Sequence, residues 1–115
     1  MRGYEEGLAL IRKGRYFEAH EELEAAWRAA PPEERDFLQG LVHVAVAWYQ
    51  AGRGNRYGCS RQLEKARRRL GPYAPAHRGL DVAALLARLD LVEPDLLEHA
   101  VQGDVQPPVP LEEEE

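Results

Sequence analysis

The segment PEERDFLQGLVHVAVAWYQA, residues 32–51, predicts a helix that is apolar on nearly every side. Its start is marked by Pro32, which suits a first-turn position, and by Glu33, Glu34 and Asp36, whose carboxylates favour the positive end of the helix dipole. A helix that is apolar all round must be covered by other elements. We therefore expect residues 32–51 to form the central helix of a bundle.

Apolar residues recur at three- and four-residue spacing on both sides of this segment, and no strand-like alternation of useful length is present. The expected helices cover about 3–13, 16–30, 32–51 and 56–70, followed by a turn-rich crossover at 71–79, a helix capped by Asp81, and a last short helix in EPDLLEHAVQ. The fold class is thus all-α, a single compact bundle of about five to six helices.

The chain of 115 residues has room for one domain. We assign residues 1–103 to the helical bundle. Residues 104–115 contain QPPVPLEEEE, which combines prolines with four terminal acids. This composition predicts an extended or disordered acidic tail.

The formal net charge of −5 and the pI near 5.4 argue against general attraction to nucleic acid or to an anionic membrane. No segment approaches the roughly 20 apolar residues that span a bilayer, and the N-terminus lacks the apolar region of a signal peptide. The single cysteine, Cys59, cannot form an internal disulfide. These features predict a soluble cytoplasmic protein.

The second helix, within YFEAHEELEAAW, carries a polar pair at the edge of its apolar face. On a helical wheel His20 lies inside the apolar arc, and Glu24 lies one turn later at its edge. Glu21 points away from that arc. Of the neighbouring acids, Glu24 is therefore the one that we expect to meet His20.

The third helix carries a polar stripe of its own, formed by Asp36, Gln39, His43 and Gln50. A buried polar stripe needs hydrogen-bonding partners, and the preceding helix, which carries His20, offers them. If the two stripes face each other, they form a metal site, an acid/base pair, or a polar network that fixes helix packing.

We favour a non-catalytic protein in which this cluster is a packing network or a small-ligand site. The alternative is a metal-dependent hydrolase: His20, Glu24 and His43 would hold a divalent ion with one open position, and Glu21 or Gln39 would act on bound water or orient the substrate. A weak repeat between residues 14–30 and 54–70 suggests a second alternative, a tetratricopeptide-like pair that binds a peptide.

The remaining candidates have simpler interpretations. Cys59 is expected to pack in the interior, the basic run RQLEKARRRL to form a solvated helix face, and His77 and His99 to be exposed. Small aromatic-rich helical domains often associate with a second copy. We expect the same here, with Trp27, Trp48 and Tyr49 forming either the apolar surroundings of the cluster or a surface for another subunit.

The same residues carry a family resemblance over residues 14–70. The order H-E-x-L-E-x-x-W, then F-L-Q-G-L, then G-N resembles domain-of-unknown-function family 309, small bacterial and archaeal helical proteins. The resemblance implies a compact all-helical fold and no established activity.

The resemblance also implies a shared centre, formed by His20, Glu21, Glu24, Trp27, Gln39, Gly40 and Asn55. The position after G-L-V, usually glutamine in similar proteins, is His43 here. Glutamine is a poor zinc ligand but a good hydrogen-bond partner. This departure favours a polar network or a small polar ligand over zinc chemistry common to the family.

Overall fold

The computed structural model describes residues 2–102 and 109–111. Within these residues there are five α-helices: α1 (Tyr4–Arg12), α2 (Tyr16–Ala29), α3 (Pro32–Gly52), α4 (Arg56–Leu70) and α5 (Val82–Gln102). A short 3₁₀ turn, Gly71–Tyr73, follows α4 and leads into two strands of two residues each, β1 (Ala76–His77) and β2 (Leu80–Asp81). The all-α prediction is confirmed, and the first four helices begin and end within about two residues of their expected positions.

Helix α3 is the centre of the bundle, as its sequence predicts. It packs against α2, α4 and α5, and Phe37, Leu38, Leu41 and Trp48 on it are fully buried. The radius of gyration is 13.0 Å, as expected for a compact domain of about 100 residues. The tetratricopeptide-like alternative stays a prediction.

Two glycines allow neighbouring helices to approach closely. A Cβ atom on Gly7 of α1 would lie 2.5 Å from Leu23 Cγ of α2, and one on Gly40 of α3 would lie 2.6 Å from Leu70 Cγ of α4. Both distances are far below van der Waals contact. Gly40, part of the centre that the family resemblance implies, therefore sets the spacing between α3 and α4.

The prediction of two short C-terminal helices is wrong. Helix α5 is continuous through Pro94, although an internal proline removes a backbone hydrogen bond and costs roughly 3 kcal/mol. One apolar stripe runs along both halves of the helix, consisting of Leu85, Leu89, Val92, Leu96 and Ala100, all buried. Burial of this stripe on both sides of Pro94 holds the helix together.

The crossover at 71–81 contains more structure than its turn-rich sequence indicates. Strands β1 and β2 pair antiparallel, with Ala76 opposite Asp81 and His77 opposite Leu80. Arg78 and Gly79 connect them with φ values of 49° and 77°. Asp81 caps α5 as predicted, because its Oδ1 accepts the backbone N–H of Ala84 at 2.8 Å.

The assignment of residues 104–115 to an extended or disordered tail stays a prediction, since most of them lie outside the described residues. In the described part, Pro110 is buried and Leu111 packs against the core. In the stretches that the structure describes, no helix combines the length and the apolar character needed to cross a membrane.

The lone cysteine occupies the interior, as expected. Cys59 is fully buried on α4. Burial, and secondarily the charge of Glu93, raises the pKa of its thiol to about 12. The thiol therefore stays protonated at neutral pH, and a thiolate nucleophile is disfavoured.

Candidate functional site

The polar pair of α2 forms as its spacing indicates. His20 Nε2 lies 2.8 Å from Glu24 Oε2, and the second carboxylate oxygen of Glu24 accepts a hydrogen bond from Arg28 at 2.8 Å. The side chains of His20 and Glu24 are 27% and 32% exposed. Glu24 thus holds the imidazole in one orientation while the ring stays accessible from solvent.

His20 also lines a groove between α2 and α3, together with Phe17, Val46, Tyr49 and Gln50. We call it the Phe17 groove. Its volume is about 200 Å³. The Phe17 ring centroid lies 5.6 Å from that of Tyr49 and 6.0 Å from that of His20. Phe17 is nevertheless 52% exposed, so a large part of an aromatic ring faces water.

A chain of polar contacts supports the far edge of the Phe17 groove. Arg53 donates to the Tyr49 hydroxyl at 3.0 Å, and Asn55 Nδ2 donates to Gln50 Oε1 at 3.1 Å. Asn55 also caps α4, since its Oδ1 accepts the backbone N–H of Gly58 at 2.8 Å. Asn55 therefore connects the start of α4 to the groove and has a structural role.

The structure does not bring His43 together with His20 and Glu24. His43 faces α4 instead of α2, and its Nδ1 lies 2.7 Å from Gln62 Oε1. In residues 2–102 and 109–111, no group of three or more His, Cys, Asp or Glu side chains is arranged to hold a metal ion. The ligand set His20, Glu24 and His43 is thus not assembled in this fold.

His43 lines a different pocket, between α3 and α4, together with Gln39, Lys65, Arg68 and Arg69. We call it the His43 pocket; its volume is about 150 Å³. Burial lowers the pKa of His43, the contact with Gln62 opposes this effect, and the three nearby cations lower the pKa further. The imidazole is therefore biased towards its neutral form.

Two further residues of the predicted centre lie outside both cavities. Glu21 is exposed, as the wheel predicts, on an acidic surface shared with Glu18 and Glu22. Trp27 is half-buried, and the guanidinium carbon of Arg35 lies 4.8 Å from the Trp27 ring centroid.

A third polar cluster is missed by the sequence analysis. The buried carboxylate of Glu34 lies 2.9 and 3.0 Å from His77 Nε2 and accepts a hydrogen bond from Arg78 at 2.5 Å. Burial alone would raise the pKa of Glu34, but the hydrogen bonds from Arg78 and His77 outweigh it and hold the pKa below its usual value. The expectation that His77 and His99 are exposed is wrong: His77 binds Glu34 and packs on Phe37, and His99 is buried on α5.

The fold and the His20–Glu24 pair describe a small all-helical protein with an accessible polar and aromatic groove. The chain belongs to the DUF309 family, a domain of unknown function, whose match covers residues 4–62. It is also similar to "Uncharacterized protein YpuF" of Bacillus subtilis (strain 168), with 36% identity over 83 residues. That alignment covers 67% of this chain and 46% of YpuF, so the chain spans about half the length of this relative. No solved structure matches.

Proposed function

We propose that this protein is a non-catalytic binding module and that its ligand occupies the Phe17 groove. The ligand is a flat, apolar ring of about the size of indole that carries a hydrogen-bonding group. The observation that supports this proposal is the exposure of Phe17, which is 52% exposed beside a cavity that is open to solvent. A ligand ring would cover this surface, and burial of apolar area contributes roughly 25 cal/mol per Å².

The groove offers both parts of such a ligand a matching partner. Aromatic rings prefer offset or tilted neighbours at centroid separations of about 4.5–7 Å, and Phe17 and Tyr49 present two ring surfaces. His20 uses Nε2 towards Glu24, which leaves Nδ1 as the second hydrogen-bonding position of the imidazole. Gln50 adds an amide at the opposite edge.

The lining side chains favour binding over catalysis. They are two aromatic rings, one aliphatic side chain, one amide and one imidazole. Nucleophilic catalysis needs a serine, cysteine or similar group within hydrogen-bond reach of the base. The lone cysteine is buried and its thiol pKa is raised to about 12. The buried free thiol also leads us to place this function in the reducing cytoplasm.

Indole is a suitable first probe, and its binding can be followed through the NMR chemical shifts of the protein. Indole has nine non-hydrogen atoms, and a gain of about 0.5–0.9 kcal/mol for each lies between the limits of about 1.5 for very small ligands and about 0.3 for larger ones. The expected dissociation constant is therefore micromolar to millimolar. The expected result is saturable shift changes in Phe17, His20, Val46 and Tyr49.

A pair of matched variants tests whether the groove is responsible. Phe17→Ala and Tyr57→Ala each remove an exposed aromatic ring, 52% and 73% exposed in the native protein, but only Phe17 lines the groove. Phe17→Ala should weaken indole binding at least tenfold, about 1.4 kcal/mol, and Tyr57→Ala should leave it unchanged. Equal losses in both variants would mean that indole merely adheres to exposed rings, and the proposal would fail.

A second copy of the chain is the competing occupant, in line with the predicted self-association. Sedimentation at several protein concentrations distinguishes the two. A mass that rises with concentration in the native protein and not in Phe17→Ala, together with no indole binding, would assign the groove to a homo-oligomer interface instead of a small ligand.

A further inference from the structure

The His43 pocket combines concentrated positive charge with an unsatisfied buried atom. Lys65, Arg68 and Arg69 line it beside Gln39. His43 Nε2 is buried and has no hydrogen-bond partner in the described part of the chain. Most buried polar groups in native proteins are paired, and an exception calls for an explanation, such as a role in binding an ion. This pocket is separate from the Phe17 groove, because His43 faces α4.

The acids near the pocket leave part of this charge uncompensated. Asp36 pairs with Arg69 at 2.8 Å, and Glu64 pairs with Arg68 at 3.5 Å. The Arg68–Glu64 pair is about 70% exposed on both sides, so it is weak and easily exchanged. Within the described residues Lys65 makes no ion pair. The free charge therefore favours an anionic ligand.

The proton on the His43 ring can be placed from its neighbour. Gln62 Oε1, an acceptor, lies 2.7 Å from Nδ1, so the neutral ring carries its proton on Nδ1 and a lone pair on Nε2. Nε2 can then take part in a hydrogen bond in two ways: it accepts one from a donor, or it becomes protonated and donates one to an anion.

We propose that the His43 pocket binds a small tetrahedral oxyanion, a phosphate group or sulfate, and that one proton is shared between His43 Nε2 and a ligand oxygen. Lys65 and Arg68 supply charge-assisted hydrogen bonds, and the Gln39 amide supplies a neutral donor. The lysine and arginine side chains are long and flexible, and rotamer changes admit a ligand oxygen to Nε2. A phosphate monoanion brings the shared proton itself, whereas sulfate brings none, so that His43 must take it from solvent.

Anion binding depends on pH through the protonation of His43, and the charged groups that affect this protonation lie on α3 and α4. On α4 they are Lys65, Arg68 and Arg69, each of which disfavours a proton on His43. Asp36 and Glu64 offset two of these cations. Because an anion in the pocket opposes all three cations, its binding stabilises the protonated ring. Sulfate binding should therefore weaken as the pH rises.

Isothermal titration calorimetry with sodium sulfate and sodium phosphate tests the proposal directly. Titrations at low salt and near neutral pH, in two buffers of different protonation enthalpy, give the number of protons taken up. The expected result is binding of both anions, with proton uptake on sulfate binding to the native protein and none in His43→Gln, which keeps a hydrogen-bonding side chain without titrating. Native protein and His43→Gln with the same proton uptake would overturn the role of His43.

A matched pair of charge reversals separates a built site from general attraction. Lys65→Glu should weaken sulfate binding at least about tenfold, as expected for a lost charge-assisted hydrogen bond. Lys13→Glu makes the same change of net charge on a different surface, beside Glu6, Glu18 and Glu21, and should change the affinity less than about twofold. Circular dichroism confirms that both variants fold. Equal weakening in the two variants, or no measurable binding to the native protein, would overturn the proposal.

Methyl phosphate identifies the source of the anion. Binding as tight as that of inorganic phosphate supports a site for phosphate monoesters, since the pocket would then accept a substituent on the outer oxygen. Binding at least about tenfold weaker supports a site for the free inorganic anion.

Discussion

Two polar clusters along α3 differ in how completely their groups are paired. At the first turn, the buried carboxylate of Glu34 has two contacts with His77 and one hydrogen bond from Arg78. Nine positions later, His43 Nε2 is buried with no partner in the described residues, beside three cations. The first cluster binds the 76–81 hairpin to α3. The second also joins two helices, through His43 and Gln62, but within the described part of the chain it leaves His43 Nε2 unpaired, so it is the better candidate for a ligand.

The difference also explains why a polar residue in a core is weak evidence of function by itself. A satisfied cluster adds specificity to the fold and has no unused hydrogen-bonding capacity. An unsatisfied one costs free energy in the absence of its ligand. The Phe17 groove shows the apolar counterpart, since Phe17 leaves aromatic area exposed that a ligand would cover.

Removal of the Glu34 carboxylate gives the largest expected effect. Glu34→Ala leaves His77 and Arg78 without their common acceptor, and it should lower the free energy of unfolding by about 2 kcal/mol. The loss is smaller than for a fully buried ion pair, because both partners are partly exposed to solvent. Urea denaturation measures the change.

Asp36→Ala is the matched control for Glu34→Ala. It removes a carboxylate two positions later on the same helix, in an exposed pair with Arg69, 63% and 37% exposed. The expected loss is below about 0.5 kcal/mol. If Glu34→Ala were as mild as Asp36→Ala, the Glu34 cluster would not hold the hairpin, and the contrast between the two clusters of α3 would collapse.

The spacing between α3 and α4 gives an intermediate effect. In Gly40→Ala the new Cβ would lie 2.6 Å from Leu70 Cγ. Overpacking costs about 1–3 kcal/mol, and the better helix propensity of alanine offsets about 1 kcal/mol of it. A net loss of about 1 kcal/mol is therefore expected in urea denaturation. Sulfate binding should weaken as well, since the His43 pocket lies between these two helices.

Gly71→Ala provides the comparison for Gly40→Ala. A Cβ there meets no atom within 4 Å, and its backbone lies in the right-handed helical region that alanine favours. This variant should leave the sulfate affinity unchanged and raise the free energy of unfolding by about 0.4–1 kcal/mol, because alanine has fewer conformations to lose on folding. Unchanged sulfate binding in Gly40→Ala, despite lost stability, would show that the pocket does not depend on the helix spacing.

The helices could be predicted from sequence because their signals are local. Periodicity and cap residues placed α1 to α4, and the spacing of His20 and Glu24 on one helix was enough to predict their contact. The prediction that the helix is interrupted near Pro94 was wrong. It rested on the local helix-breaking effect of proline and did not include the burial of apolar side chains on both sides of Pro94. Strands of two residues are too short to show an alternation of apolar and polar residues, so the hairpin at 76–81 could not be predicted from the sequence.

The packing of the helices against one another could not be predicted from such local signals. Helix α3 is apolar on nearly every side, and therefore its polar stripe did not indicate which neighbour it faces. His43 was expected to face α2, but its imidazole contacts Gln62 of α4. Glu34 and His77 are 43 positions apart, and Glu34 resembled an ordinary acid of a helix first turn. Only the packing of the hairpin on α3 brings these two residues together.

The smallest expected effect is a pH dependence of stability that originates in His43. Burial, followed by the charges of Arg69, Lys65 and Arg68, holds the pKa of this imidazole in the folded state below the usual 6.5. As the pH falls below about 6.5, the unfolded chain binds a proton that the folded protein resists, so stability present above this pH is lost.

Urea denaturation at about pH 7.5 and pH 5.5 should show a larger loss in the native protein than in His43→Gln, which has no titrating ring. Added sulfate should reduce the loss in the native protein alone, since the bound anion stabilises the protonated ring. An identical pH dependence in both proteins would mean that His43 is already relieved by a partner in solution, and the contrast between the two clusters of α3 would then disappear.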